Sequence, residues 1–236
     1  MTAASAPIPL LDFRAAHYET SYEGANVSLS LRLQVMSREL VVARFDHEPS
    51  LQLFASACCG LALPSRGEAR FLDRNWAHVN ERERGVLRGM IGQSFETGGW
   101  METLSVAENV LLQQAYHTDR PDVELRREAA GLANHFGLPG LPTVAPSDLG
   151  AGDLQRAGLV RAFLDSPELV ILQAPTRDAP QLLAPLLAAI NRAQQRAAAV
   201  LWLTFDTNSP RQLLRMADQT VRVRQSGQLE RMEPHV

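Results

Sequence analysis

The sequence contains no lysine; all 23 of its Lys/Arg positions are arginine. A GC-rich genome favours arginine codons, and whatever the origin, the chemical consequence is fixed. No lysine Schiff base can form, and no loop can hold a phosphate with a lysine ammonium. Cysteine is almost as scarce. Cys58 and Cys59 are neighbours, and adjacent cysteines rarely reach disulfide geometry, so a buried, reduced pair in a cytoplasmic setting is expected. No stretch of about 20 apolar residues exists, so no membrane-spanning helix is expected. Met1 to Phe13 has no basic region followed by a long apolar run, which argues against a secretory signal. A strong charge of either sign is also missing. The net charge is -3, with both signs dispersed, and that leaves no footprint for a nucleic-acid partner.

What is present suits a globular chain. With 236 residues and 45% hydrophobic content, a sizeable core in one domain is within reach. Val27 to Phe45 alternates polar and apolar residues and predicts antiparallel strands near a sheet edge. Leu51 to Leu61 predicts a helix. Pro64, Gly67 and Asp73-Arg74-Asn75 predict a turn region. Val86 to Phe95 predicts a strand ending near Gly98-Gly99. Ser105 to Phe136 predicts helix, with Ser105 and Glu108 in capping-box spacing; Pro139, Pro142 and Pro146 interrupt it. Asp153 to Leu164 and Gln181 to Arg196 predict further helices. Leu169 to Leu172 and Ala199 to Thr204 predict buried parallel strands. Gln219 to Met232 predicts a short hairpin. Strands alternating with helices imply an α/β fold with an inserted helical piece at about 100 to 150.

Several segments resemble one family in order. Gly60-Leu61, Pro64 and Gly67-Glu68 look like the run after the P-loop helix of ABC transporter ATPases. Ile91-Gly92 with Phe95 resembles the strand entering the Q-loop. Leu104 to Val110 is similar to the start of the family's helical subdomain. Gln155-Arg156, Arg161-Ala162 and Pro167-Glu168-Leu169 follow the pattern after the signature motif, and Pro175-Thr176 resembles the end of Walker B. The wording from Leu104 to His117 is also similar to ATPase components of Mla/MCE-type lipid transport. The resemblance covers about residues 25 to 225. It implies a single ABC ATPase-like domain over 1–236, with an N-terminal antiparallel β part, a helical subdomain at about 100–150, and a flexible N-terminus over 1–20.

The same resemblance assigns the nucleotide-site positions. The P-loop falls on Phe45 to Leu53. Phe45, Glu48 and Ser50 replace its glycines, Leu51 its lysine, and Gln52 and Leu53 its Ser/Thr pair. Such a loop works through backbone N–H groups, a lysine charge and a hydroxyl on Mg²⁺. Glu48 instead brings a negative charge, and Pro49 removes a donor. Gln173 and Ala174 stand for the Walker B Asp and Glu, Glu96 for the Q-loop glutamine, and Phe205 for the switch histidine, followed by Asp206. The signature motif becomes Leu149-Gly150-Ala151-Gly152-Asp153, where Asp153 reads as a helix cap. Leu51, Leu53 and Phe205 are expected to be at least partly buried.

These substitutions imply a non-catalytic, regulatory or structural ABC ATPase-like subunit of a bacterial transporter complex, lipid transport included. No catalytic residue, metal or cofactor is expected. The partners implied are a membrane permease and/or an intact ATPase subunit, or a second copy of this chain. The place implied is the inner face of the cytoplasmic membrane. The alternatives are a divergent but active subunit using ATP and Mg²⁺, a free-standing regulator, and a small-molecule sensor using the emptied cleft.

Overall fold

The computed structural model describes residues 8–22, 25–96, 99–205 and 209–232. In chain order the elements are β1 (Leu11–Tyr22), β2 (Ala25–Val35), β3 (Leu40–Phe45), α1 (Glu48–Cys58), β4 (Arg66–Phe71) and β5 (Arg74–Asn75). Then come α2 (Glu81–Gly89), β6 (Ile91–Ser94), α3 (Val106–His117), α4 (Asp122–His135), α5 (Ala151–Phe163) and β7 (Leu169–Gln173). The chain closes with α6 (Leu183–Gln195), β8 (Ala199–Thr204), α7 (Arg211–Met216), β9 (Gln219–Val223) and β10 (Leu229–Arg231).

Strands that are apolar on both sides belong in the middle of a sheet covered on both faces. β3, β7 and β8 are such strands. They form a six-stranded sheet of order β10-β9-β3-β8-β7-β6, parallel except at the β9–β10 pair. Their side chains alternate between two cores. Val41, Ala43, Ile171 and Leu201 join a core with the antiparallel sheet β2-β1-β4-β5 and α1, whereas Val42, Val170, Leu172 and Trp202 face α3 to α6 on the other side.

The helical segment begins at a defined cap. Ser105 Oγ accepts from the Glu108 N–H at 3.2 Å, and the Glu108 carboxylate accepts from the Ser105 N–H at 2.7 Å. Two orphan donors of the helix start are thereby satisfied. Asn109, buried, donates to the Met101 carbonyl at 2.9 Å and accepts from the Met101 N–H at 2.8 Å, which fixes the approach to α3.

Four expectations need correction. Leu40 to Phe45 is not an antiparallel edge: β3 lies inside the six-stranded sheet and runs parallel to both β8 and β9. Residues 8–20 are not a loose terminus, because β1 pairs along its length with β2 and is also bonded to β4, while Phe13 and Tyr18 are buried. Val86 to Met90 is not strand. α2 takes residues 81–89 through a capping box between Asn80 and Glu83, and the strand starts at Ile91. The region near Gly67 is not merely turn, since β4 supplies the inner strand that bonds β1. Gly98 and Asp206 lie outside the described residues.

β6 and α5 approach so closely that a Cβ on Gly92 would sit 1.9 Å from the Ala162 carbonyl oxygen. Gly92→Ala is therefore expected to destabilise the protein by roughly 1 to 3 kcal/mol through overpacking. Urea unfolding measures this directly. A loss below about 0.5 kcal/mol, the size of a neutral surface change, would contradict the described contact.

Candidate functional site

The site is built at the carboxyl ends of β3, β7, β8 and β6, where ligands of open α/β sheets bind. At the end of β3 there is almost no loop. Only Asp46 and His47 separate Phe45 from α1. The N–H groups of Ser50 and Leu51 both point to the His47 carbonyl, at 3.2 and 3.4 Å, so they are used inside the first helical turn. Pro49 suits that turn because its missing N–H is not needed there. Ser50 is buried, Leu51 is 0% exposed and Leu53 is buried; Phe205 is half-buried against the same core. The burial expected of Leu51, Leu53 and Phe205 is what the structure shows.

Charges around this turn are arranged for the protein itself. Asp46 is held by Arg222 through two bonds, Nε to Oδ1 at 2.8 Å and Nη2 to Oδ2 at 3.1 Å. Glu48 is exposed in the first turn of α1, where the helix dipole favours an acid. Gln52, one turn further, is half-buried.

Gln173 ends β7 and is 1% exposed, and neither end of its amide has a hydrogen-bond partner in the protein. Ala174 follows with a left-handed backbone, φ 41°. Its N–H donates to the Leu203 carbonyl at 2.8 Å, and its carbonyl accepts from Gln155 Nε2 at 3.2 Å. Neither residue carries a carboxylate that could hold Mg²⁺ through water or orient an attacking water.

Glu96 leaves β6 with its side chain only 6% exposed and is ion-paired to Arg177, from the loop after β7. Burial pushes its carboxyl above the usual range, with Arg177 opposing the shift and Glu48 and Asp178 adding to it. Arg177 is ion-paired to both Glu96 and Asp178 and so balances part of the negative charge gathered here. Among the described residues, no group of three or more His, Cys, Asp or Glu side chains could hold a metal ion.

The remaining positions lie at the start of α5. Leu149 is half-buried and Gly150 is the N-cap, with Ala151 exposed beyond it. Gly152 is half-buried. Asp153 does not cap the helix as expected. It sits inside the first turn and accepts from Arg156 Nη1 at 2.9 Å. The residue whose backbone leaves the helix here is Gly150, so a carboxylate three positions later finds a cation on its own helix instead.

Three arginine contacts are not signalled by the sequence: Arg222 on Asp46, Arg177 on Glu96, and Arg161 stacked on Phe95 and Trp100 with its guanidinium 4.9 and 4.5 Å from the ring centres. Their partners are distant in sequence, and no local spacing signals such pairs.

No protein-family model matches the chain. It is 28% identical over 137 residues to the intermembrane phospholipid transport system ATP-binding protein MlaF of Haemophilus influenzae, covering 58% of this chain and 52% of that protein. It is 28% identical over 164 residues to the lipoprotein-releasing system ATP-binding protein LolD of Psychrobacter arcticus, covering 66% of this chain and 72% of that one. The chain thus spans about half the length of the first of these relatives. A dimeric ATP-binding cassette, MJ0796, solved with ADP and Pi, superposes with a TM-score of 0.82 at 18% identity, over 95% of this chain and 98% of that one. The fold is that of an ABC cassette.

Leu51→Lys puts a lysine back at the position that the resemblance gives to the phosphate-holding lysine. Because Leu51 is wholly buried rather than in a loop, this substitution is expected to cost about 3 kcal/mol or more. Chemical denaturation reads the loss; a tolerated lysine would show that the turn opens as a loop.

Proposed function

We propose that this chain, a relative of the ATP-binding subunits of ABC transporters, is a non-catalytic member that serves a transporter complex structurally or as a regulator. The observation that carries this reading is the β3–α1 connection. The segment that would wrap a triphosphate is a helical turn in which the Ser50 and Leu51 N–H groups bond to the His47 carbonyl and the Ser50, Leu51 and Leu53 side chains are buried. Gln173, Ala174 and Glu96 support it, since the first two offer no carboxylate and the third is already tied to Arg177. The residues present do not fit Mg-ATP.

The partners proposed are a membrane permease and an intact ATPase subunit, with a homodimer as the alternative arrangement. No described helix is long and apolar enough to cross a membrane, so attachment would be peripheral, at the inner face of the cytoplasmic membrane. The two relatives are named for phospholipid transport and lipoprotein release, which favours a lipid-related system. A groove of about 700 Å³ between α3 and the core suits a docking element of the permease. Leu61, Phe95, Met101, Leu112 and Tyr116 line it, all exposed, with Tyr116 at 82%. An apolar groove beside a helix accepts the apolar face of another helix.

Two measurements test the proposal. At about 1 mM Mg-ATP, a site with a dissociation constant of about 10 µM would stabilise the fold by about 2.7 kcal/mol. That is a melting shift of roughly 5 to 10 °C for a chain of this size. No such shift and no phosphate release are expected; either, if saturable, would favour a divergent active subunit instead.

The second concerns the groove. Leu112→Glu is expected to leave the melting temperature within about 1 °C, since surface changes are nearly neutral. It is also expected to release the protein from native inner-membrane vesicles in a flotation assay. Equal retention of wild type and variant would remove the groove from the docking surface.

A further inference from the structure

The groove beside α3 is apolar along its walls, yet its charge is of one sign. Arg88, near the end of α2, and Arg161, on α5, both line it, and no aspartate or glutamate does. Neither arginine is neutralised by the groove itself. Arg88 donates through Nε to the Cys59 carbonyl at 3.1 Å and through Nη2 to the Gly60 carbonyl at 2.9 Å. Arg161 donates to the Gly99 carbonyl and stacks on Phe95 and Trp100. Carbonyls and ring faces orient a guanidinium but leave its full charge in place.

The acids on the flanking elements are engaged elsewhere. Glu81 is ion-paired to Arg84, and Glu83 closes the cap of α2 with Asn80. Glu102 accepts from the Ser147 N–H at 3.2 Å, and Glu108 closes the cap of α3 with Ser105. Glu96, which lines the neighbouring cavity, is ion-paired to Arg177. Burial first, and then the charge of Arg88, lower the pKa of His117, and no carboxylate opposes them. At neutral pH the charge of the lining is therefore that of two guanidinium groups.

Arg88 and Arg161 are half-buried already. A partner that covers them strips their remaining water, which is costly unless it brings a countercharge. Leu61, Met101, Leu112 and Tyr116 offer apolar contact in the same groove. We infer, on the premise of the docking role proposed above, that the helix received here carries an acidic side chain among the apolar ones it buries. That carboxylate sets which helices the groove accepts. An uncharged apolar helix leaves the guanidiniums desolvated and unpaired, and a basic one adds like charge.

Tyr116 lines the groove, is 82% exposed, and meets the His117 ring edge-on with centroids 4.9 Å apart. Tyr116→Arg and Tyr116→Glu remove the same ring and differ in charge, and at that exposure both should fold. The test is flotation of the full chain with native inner-membrane vesicles. At about 0.1 M salt, where charges act over about 10 Å, Tyr116→Arg should bind about tenfold more tightly than Tyr116→Glu. The gap should close at about 1 M salt, where that reach falls to about 3 Å. Arg88→Gln, which removes one of the two cations, should weaken binding about fivefold or more. Equal binding of the two Tyr116 variants, while Leu112→Glu still releases the protein, would overturn the inference and leave the docking role intact. Full retention of Leu112→Glu would remove both. Vesicles of the extracted lipids alone should show no gap. The same gap there would assign the acid to lipid headgroups and overturn the proposal.

Discussion

The burial of the first turn of α1 constrains everything at the carboxyl end of the sheet. Ser50, Leu51, Leu53 and Phe54 are all buried, so the helix must start almost as soon as β3 ends. Leu51 alone is worth roughly 1.5 to 3 kcal/mol on removal from water. A glycine-rich loop at this place would need those same residues to be turned outward and their N–H groups to be free. The two demands exclude each other, and the apolar side chains decide the outcome. Arg222 then closes the remaining gap by fixing Asp46 with a bidentate ion pair.

The neighbouring connections are likewise tied to the protein rather than left open. Arg177 links the loop after β7 to Glu96, at the root of the helical segment. Gln155 links α5 to the Ala174 carbonyl on that same loop. Gly92 lets β6 lie against the Ala162 backbone. The helical segment therefore meets the core through side-chain bonds that need no ligand.

Much of the fold was legible in the sequence because buried elements announce themselves. Leu169 to Leu172 is wholly apolar, Ala199 to Leu203 likewise, and these runs form β7 and β8. Ser105 and Glu108 formed the predicted capping box. The errors have physical causes. Leu40 to Phe45 follows an alternating stretch, and the alternation of β2 was carried one strand too far, although Leu40-Val41-Val42-Ala43 is continuous apolar sequence. α2 is short and charged, with Leu87 its one buried residue, so only its cap marks it. β4 includes Gly67 at φ 75°, which reads as a turn until its antiparallel partner β1 is known. At the candidate site the missing charges were visible in single residues. The arginine pairs were not, because Arg177 and Glu96 or Arg222 and Asp46 meet only through the tertiary fold.

One cation connects two neighbouring cavities. Arg161 lines both the groove beside α3 and the smaller cavity beside Glu96, and Phe95 and Trp100 stand with it in that shared wall. Burial lowers its pKa to about 10, so it stays charged at neutral pH and holds its place by stacking on both rings. A guanidinium between two aromatic faces is a stiff partition, because moving it would expose the rings and strip the cation of both contacts. An element pressing on Phe95 or Trp100 from the groove would therefore act on the wall of the inner cavity.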